Sequence, residues 1–172
     1  MNNIFVKDFM TTEVISVKPY DRTVDVAKVL FVNDFNGAPV ADKDNKLVGL
    51  ITEYDFIEKG SPLYFSPMGK LLEELTLFKE DESEIEKKIK EIISSKAEDI
   101  MNKEPLTLSP DNTLAEAADL FVGHHRVNPV PVVDKDNKVV GIISRYDLIK
   151  LYADPSFWTK LFSRIDAEKK DI

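Results

Sequence analysis

The chain has no cysteine and only two histidines among its 172 residues. The absence of thiols excludes disulfide bonds, thiolate zinc sites and a cysteine nucleophile. No stretch approaches the roughly 18 consecutive apolar residues that a membrane-spanning helix needs. The first ten residues include Lys7 and Asp8 and do not resemble a signal peptide. We therefore expect a cytoplasmic protein that has no membrane partner.

Basic residues are fewer than acidic residues, with 23 Lys and Arg against 31 Asp and Glu. The formal net charge is −8 and the isoelectric point is about 4.9, which argues against a nucleic-acid polymer as partner, because such a partner needs a basic face. Hydrophobic residues make up 43% of the chain and include ten phenylalanines and one tryptophan. This content is sufficient for a real core, in one domain or two small ones.

Two blocks of the sequence repeat. DKDNKLVGLITEYDFI (42–57) aligns without a gap on DKDNKVVGIISRYDLI (134–149), at an offset of 134 − 42 = 92 residues. Before these blocks, NGAPVAD matches NPVPVVD, TVDVAKVLF matches TLAEAADLF, and VKDFMTTEVISVKPYD matches AEDIMNKEPLTLSPD, with offsets between 90 and 92. We therefore predict repeats at 1–60 and 97–152, separated by an insert at 61–96 and followed by a tail at 153–172.

Each repeat predicts the order strand, helix, strand, strand, helix, which is an α+β (mixed α/β) fold. The short runs EVISV and PLTLS are the predicted first strands. Thr23 and Thr113 are predicted N-caps of the first helices. The β-branched runs on either side of each DKDN turn predict a hairpin. Thr52 and Ser144 are expected to end the hairpins and start the last helices.

The insert and the tail predict additional helices. Ser66-Pro67 has the pattern of a helix start, and Ile85, Ile89, Ile92 and Ile93 form one apolar stripe. This stripe favours a connector that packs on the repeats or on a second subunit, and the alternative is a partner-binding device. In the tail, Pro155 lies near a helix start. We predict an amphipathic helix whose apolar face consists of Phe157, Trp158, Leu161, Phe162 and Ile165. So much aromatic surface should be buried, including across a dimer.

The most informative motif is T/S-x-x-D, found at Thr52–Asp55 and Ser144–Asp147. A hydroxyl residue with a carboxylate three positions later is close to a capping box, and capping alone explains both copies. Gly49 and Gly141, however, lie inside strands, where glycine often marks a close approach by backbone or ligand. A helix N-terminus also suits a phosphate, and a carboxylate can accept both hydroxyls of a ribose. The two interpretations stay open.

Four motifs occur twice and in the same order: the D-x-M segments (8–10 and 99–101), the T-V/L-x-x-A helices, the x-P-V strands and the G-h-h-T/S-x-x-D segments. Together they resemble a tandem pair of cystathionine β-synthase (CBS) domains. The resemblance covers nearly the whole chain outside the insert and the tail. It implies two β-α-β-β-α units that pack around a pseudo-two-fold axis. It also implies a homodimer and adenosine-type ligands in clefts between the units.

The resemblance also implies particular site residues. The aspartates would hold ribose hydroxyls, Thr52 and Ser144 would meet ribose or phosphate, and backbone near the x-P-V strands would frame adenine. The implied positions are Thr52, Asp55, Ser144, Asp147, Ala38, Pro39, Val40, Val130, Pro131 and Val132.

The two copies differ next to this motif. Arg145 can pair with phosphate, whereas its counterpart Glu53 repels it. We therefore expect Asp147→Ala to weaken nucleotide binding more than Asp55→Ala. The first connection from helix to strand (31–39) counts two residues fewer than the second (121–131), which would narrow the first cleft.

The only histidines lie in the segment His124-His125-Arg126. It predicts a solvated helix end, with phosphate contact by His125 or Arg126 as the alternative. A metal site is disfavoured because adjacent histidines on a helix rarely chelate one ion.

No nucleophile with a base, P-loop or metal-ligand cluster is evident, so we expect no enzyme and no catalytic cofactor. Two functions remain. One is a stand-alone regulatory module that binds AMP, ADP or ATP, or else cyclic di-AMP or S-adenosylmethionine, and acts in trans on an unidentified protein. The other is an interaction scaffold without a ligand. A thermal-shift screen with adenine nucleotides separates them.

Overall fold

The computed structural model describes residues 4–58 and 94–159. The described residues divide into two compact units, one within the range 15–105 and one within the ranges 1–14 and 106–172. We call them the first-repeat unit and the second-repeat unit, after the hairpin that each contains. The helix predicted for the insert lies outside the described residues, as do Leu161, Phe162 and Ile165 of the tail. No helix in the described ranges is long and apolar enough to cross a membrane.

The first-repeat unit is built on an antiparallel hairpin. A polar turn joins its strands, and in this turn Asp42 Oδ1 accepts hydrogen bonds from the backbone N–H groups of Asp44 and Lys46 at 2.9 and 2.8 Å. Asn45 has a φ of 62°, a left-handed conformation that asparagine tolerates. The elements are α1 (Thr23–Asn33), β1 (Gly37–Ala41), β2 (Leu47–Thr52), α2 (Glu53–Glu58) and α3 (Ala97–Ile100).

The second-repeat unit has the same organisation. Its hairpin turn again uses an aspartate and a left-handed asparagine, Asp134 and Asn137. The peptide bond between Asn128 and Pro129, just before the hairpin, is cis. The elements are a 3-10 turn (Val6–Asp8), α4 (Leu114–Gly123), β3 (Val130–Val133), β4 (Val139–Ile143) and α5 (Arg145–Ala153). In the tail, residues 155–159 are helical, as predicted from Pro155.

Each unit contains the leading segment of the other repeat. The D-x-M segment 99–101 lies in the first-repeat unit, where Ile100 and Met101 join the buried core with Val26, Val40 and Ile51. The D-x-M segment 8–10 lies in the second-repeat unit, whose core contains Val6, Phe121 and Ile143. The compact units therefore do not coincide with the repeats as read along the chain.

The predicted first strand of each repeat is reduced to a single bridging residue. Val17 forms a parallel bridge with Val40, and Leu108 forms one with Val132. The Val17 N–H donates to Pro39 O at 3.0 Å, and Val17 O accepts from Ala41 N at 2.9 Å. The segments are extended, as predicted, but they pair at one residue only and do not form full strands.

The two first helices begin differently. Thr113 is the N-cap of α4, and its hydroxyl accepts from the Glu116 N–H at 3.2 Å, as predicted. The prediction for Thr23 is wrong, because Arg22 holds the N-cap position of α1 and makes no side-chain cap hydrogen bond. Thr23 is the first helical residue and is buried, and its Oγ1 lies 2.6 Å from Ser95 Oγ.

This difference corrects the alignment of the repeats. Arg22 bridges Lys96 as Thr113 bridges Phe5, so Arg22 matches Thr113 at an offset of 113 − 22 = 91 residues. The hairpins match at an offset of 92, as Val40 and Val132 do in their bridges. The stretch from the N-cap to the hairpin is therefore one residue longer in the second repeat (92 − 91 = 1), whereas the sequence alignment indicated two.

Candidate functional site

The first candidate site is the carboxylate of Asp55, which is only 6% exposed. Its Oδ2 accepts from the backbone N–H of Thr52 at 2.9 Å and from the Thr52 hydroxyl at 2.7 Å. Thr52 is the last residue of β2, and Asp55 lies in the first turn of α2. The bond from the N–H is the returning half of a capping box. The structure thus bears out a capping role for this pair.

The second candidate site repeats this geometry and adds a cation. Asp147, 7% exposed, accepts at Oδ2 from the Ser144 N–H at 2.7 Å and from the Ser144 hydroxyl at 2.8 Å. Its Oδ1 accepts from Lys150 Nζ at 3.0 Å. Both carboxylate oxygens are therefore engaged, and a diol at Asp147 would have to share Oδ1 with the ammonium or displace it. Sequence reasoning missed Lys150, although its i+3 spacing from Asp147 is a signal for an ion pair.

The glycines in the strands are explained by packing and not by a ligand. A Cβ at Gly49 would lie 2.6 Å from Met101 Sδ and 2.9 Å from Asn102 O. A Cβ at Gly141 would collide with the side chain of Met10. Each glycine thus makes room for the methionine of a D-x-M segment, so the close approach anticipated from the sequence is made by the protein itself.

The side chains of the x-P-V strands are buried, so these strands could contact a ligand only through backbone groups. Ala38, Pro39 and Val40 are buried in one core, and Val130, Pro131 and Val132 in the other. The carbonyl oxygens of Pro39 and Pro131 already accept from the N–H groups of Val17 and Leu108, each at 3.0 Å. Any contribution of these strands to adenine binding would therefore come from the remaining backbone groups.

Arg145 is tied to the end of α4. Its Nη2 donates to His125 O at 2.6 Å and to His124 O at 3.2 Å, and its guanidinium lies 5.6 Å from the centre of the Phe121 ring. The side chains of His124, His125 and Arg126 are exposed, as predicted for a solvated helix end. The structure brings His125 and Arg145 together through the carbonyl contact. Among the residues that the structure describes, no group of acidic residues and histidines could hold a metal ion.

The tyrosine of each T/S-x-x-D motif lies at the surface. Tyr54 is 38% and Tyr146 65% exposed. Sequence reasoning also missed a groove of about 420 Å³ between α1 and α2. Spacing carried the signal, because positions 27, 30, 31 and 34 and positions 53, 56 and 57 each follow helical periodicity. The groove is lined by Ala27, Leu30, Phe31, Asp34, Phe35, Asn36, Glu53, Phe56 and Ile57.

Comparison with known proteins agrees with this architecture. The family model of the CBS domain matches residues 6–61 and 97–154. Protein MJ1426 of Methanocaldococcus jannaschii is 30% identical over 154 residues, which are 86% of this chain and 90% of MJ1426. MJ1225 of the same organism is 30% identical over 88% of this chain, and the chain spans only 48% of its length.

Solved structures carry the same fold. The crystal structure of CBSX2 in complex with AMP is 27% identical, covers 87% of this chain and 96% of that one, and gives a TM-score of 0.65. The structure of MJ1225 is 28% identical, with a TM-score of 0.68, and covers 87% of this chain and 48% of that one.

The fold and the candidate sites therefore define a class of protein with two α+β repeats. In each repeat, a buried aspartate in the first turn of the helix after the hairpin caps that helix. The chain belongs to the CBS domain family, as a tandem pair.

Proposed function

We propose that this protein is a regulatory module that binds an adenine nucleotide (AMP, ADP or ATP) at the T/S-x-x-D sites and acts in trans on a partner protein. The observation that carries the proposal is the likeness, over 87% of the chain, to a CBS pair solved with AMP. The cytoplasmic location and the homodimer expected from the sequence belong to the same proposal. Regulation requires that the nucleotide bind two arrangements of the protein with different affinity.

The charges around the two sites support unequal binding. In the second-repeat unit, Arg145 and Lys150 lie within six residues of Ser144, and His125 contacts Arg145 through its carbonyl oxygen. The first-repeat unit carries Glu53 and Glu58 at the matching positions. Guanidinium and ammonium groups suit a phosphate, and carboxylates repel it. Phosphate contact by His125, Arg126 and Arg145 is therefore proposed for the second site only.

The first experiment is a thermal-shift titration of the full chain with AMP, ADP and ATP. A ligand that binds only the native state raises the melting temperature, so a shift that saturates with concentration supports the proposal. S-adenosylmethionine and cyclic di-AMP complete the panel as alternative ligands. No shift with any of these ligands at millimolar concentration would favour the interaction scaffold, in which the T/S-x-x-D pairs serve only as caps.

The second experiment compares Asp147→Ala with Asp55→Ala by titration calorimetry. We expect Asp147→Ala to cause the larger loss of affinity, because its site holds the cations. The two variants control for each other, because each removes a buried carboxylate with the same two hydrogen bonds to a hydroxyl residue. Melting temperatures without ligand show whether both variants are folded. A larger loss for Asp55→Ala would reject the asymmetry.

A further inference from the structure

In each unit, the two helices that flank the hairpin expose apolar side chains that are not part of the core. Around the groove of the first-repeat unit, Phe31 is 87% and Ile57 67% exposed. At the matching positions of the second-repeat unit, Val122 is 71% and Ile149 60% exposed. Large apolar side chains clustered on the surface are typical of an interaction site. We call these surfaces the α1–α2 face (Phe31, Asp34, Glu53, Ile57 and Glu58) and the α4–α5 face (Val122, His125, Arg145, Ile149 and Lys150).

The apolar residues of the two faces match, but the charges are reversed. Asp34 matches His125 at the helix offset of 91 residues, and Glu53 matches Arg145 at the hairpin offset of 92. Glu58 matches Lys150 at the same offset of 92. Every acidic position of the α1–α2 face thus has a basic residue or a histidine on the α4–α5 face.

Local contacts keep the opposite charges on their faces. The carbonyl oxygens of His124 and His125 fix the Arg145 guanidinium at the end of α4. Asn36 Nδ2 donates to Glu53 Oε2 at 3.2 Å and holds that carboxylate at the rim of the groove. Lys150 contributes less, because Asp147 already pairs with it. Glu53 and Arg145 are therefore the charge pair with the largest expected effect.

We infer that the α1–α2 face of one copy of this protein packs on the α4–α5 face of a second copy, in a head-to-tail dimer. This inference rests on the homodimer included in the proposed function and assigns its contact. In a two-fold symmetric dimer, such a contact occurs twice and sets opposite charges against each other. The head-to-head alternative would place Glu53 against Glu53 and Arg145 against Arg145, and like charges brought together at an interface cost free energy.

Charge reversal tests the orientation. In the head-to-tail dimer, Glu53→Arg sets arginine against Arg145 twice, and we expect the dimer dissociation constant to rise by ~10-fold or more at low salt. Adding Arg145→Glu in the same chain restores opposite charges and the dimer. In a head-to-head dimer, Glu53→Arg only exchanges one like-charge pair for another. Sedimentation equilibrium of the full chain measures the constant, and Glu104→Arg is the control, since it makes the same change of charge at an exposed position outside both faces.

Three outcomes are decisive. A higher dimer dissociation constant for Glu53→Arg, with recovery of the dimer in the double variant, supports the inference. An unchanged dissociation constant, equal to that of Glu104→Arg, overturns the head-to-tail contact but leaves a dimer. A wild-type chain that is monomeric at all concentrations refutes the proposed homodimer itself, in which case the faces serve a different protein.

Cross-linking gives a second measurement that does not depend on the fold tolerating Arg145→Glu. Because the chain contains no cysteine, Phe31→Cys and Val122→Cys each introduce a single thiol at a highly exposed position. The two variants are mixed and treated with a short bismaleimide, and the products are identified by mass spectrometry. We expect links between positions 31 and 122. A predominance of 31–31 and 122–122 links would overturn the inference.

Discussion

At the scale of single residues, the aspartate and the glycine of each motif act on different parts of the unit. The carboxylates of Asp55 and Asp147 hold the residue that ends the hairpin to the first turn of the next helix. Gly49 and Gly141 admit a methionine side chain to the strand. The sequence predicted the capping partners because they are only three residues apart. It did not identify the neighbours of the glycines, because these lie 52 (101 − 49) and 131 (141 − 10) residues away.

Glycine replacement gives a prediction at this scale. Gly49→Ala should lower the free energy of unfolding by ~1–3 kcal/mol, as expected for overpacking. Gly141→Ala should cost less, because the three atoms nearest to its new Cβ all belong to the flexible side chain of Met10. At Gly49 the Cβ also meets Asn102 O, which is held by a hydrogen bond from the Leu50 N–H at 2.9 Å. Urea denaturation of both variants, with Gly123→Ala as control, measures the difference.

The control and the double variants make this prediction specific. Nothing lies within 4 Å of a Cβ at Gly123, so Gly123→Ala should be neutral or slightly stabilising. Met10→Ala should offset part of the cost of Gly141→Ala, whereas Met101→Ala should not rescue Gly49→Ala. Equal rescue at both sites would contradict the role assigned to Asn102 O.

At the scale of elements, the repeats differ most in how their first helices begin. Thr23 and Thr113 occupy similar positions in the sequence, and capping chemistry alone predicts the same role for both. In the fold, Thr23 is one position further into its helix and is buried beside Ser95, which lies at the end of the insert. A tertiary contact with a residue 72 positions away in the sequence thus replaces a local cap.

Cap removal tests this difference. Thr113→Ala should lower the free energy of unfolding by ~1 kcal/mol, because it deletes the N-cap of α4. Thr23→Val should act through the Ser95 hydroxyl, so a double-mutant cycle with Ser95→Ala should show a coupling of ~1 kcal/mol. The corresponding cycle between Thr113 and Ser95 should show none. Chemical denaturation provides all of these free energies, and coupling in the second cycle would reject the assignment.

The cap of α4 also predicts a pH dependence. Hydrogen bonds from the Thr113 backbone N–H and from the Asn112 and Thr113 side chains hold the pKa of Glu116 below its ordinary 4.5. A lowered carboxyl pKa contributes stability that is fully present above the unfolded value and is lost as pH falls through the folded value. The stability difference between wild type and Glu116→Ala should therefore be constant near neutral pH and shrink below about pH 4.5. Because Glu116 is exposed, salt should reduce the effect. A difference that grows in acid would contradict it.

At the scale of the whole molecule, the compact units do not follow the repeats of the sequence. Val6 belongs to the first repeat by sequence, yet it is fully buried in the core of the second-repeat unit. Ile100 belongs to the second repeat and is buried in the core of the first-repeat unit. Each repeat therefore depends for its core on a segment of the other.

This exchange predicts where a core mutation acts. Val6→Ala should cost ~2–4 kcal/mol and lower the hydrogen-exchange protection of β3 and β4, which lie in the unit that contains Val6. Ile100→Ala should lower the protection of β1 and β2. The two variants are matched controls for each other, and exchange measured by mass spectrometry resolves the hairpins. Loss of protection in β1 and β2 caused by Val6→Ala would show that the sequence repeats are the cooperative units.

The sequence by itself determined the two repeats, the α+β class, the hairpins and their turns, and the pairing of Thr52 with Asp55 and of Ser144 with Asp147. All of these depend on contacts within a few residues or on periodic burial, which a single sequence displays directly. Only the tertiary structure decided which methionine fills the space beside each glycine and which leading segment completes each core. It also decided that Thr23 is not a cap and that Lys150 pairs with the Asp147 carboxylate. These outcomes depend on contacts between distant parts of the chain, or on which of several equivalent local partners a residue contacts. Packing determines both, so neither can be read from the sequence alone.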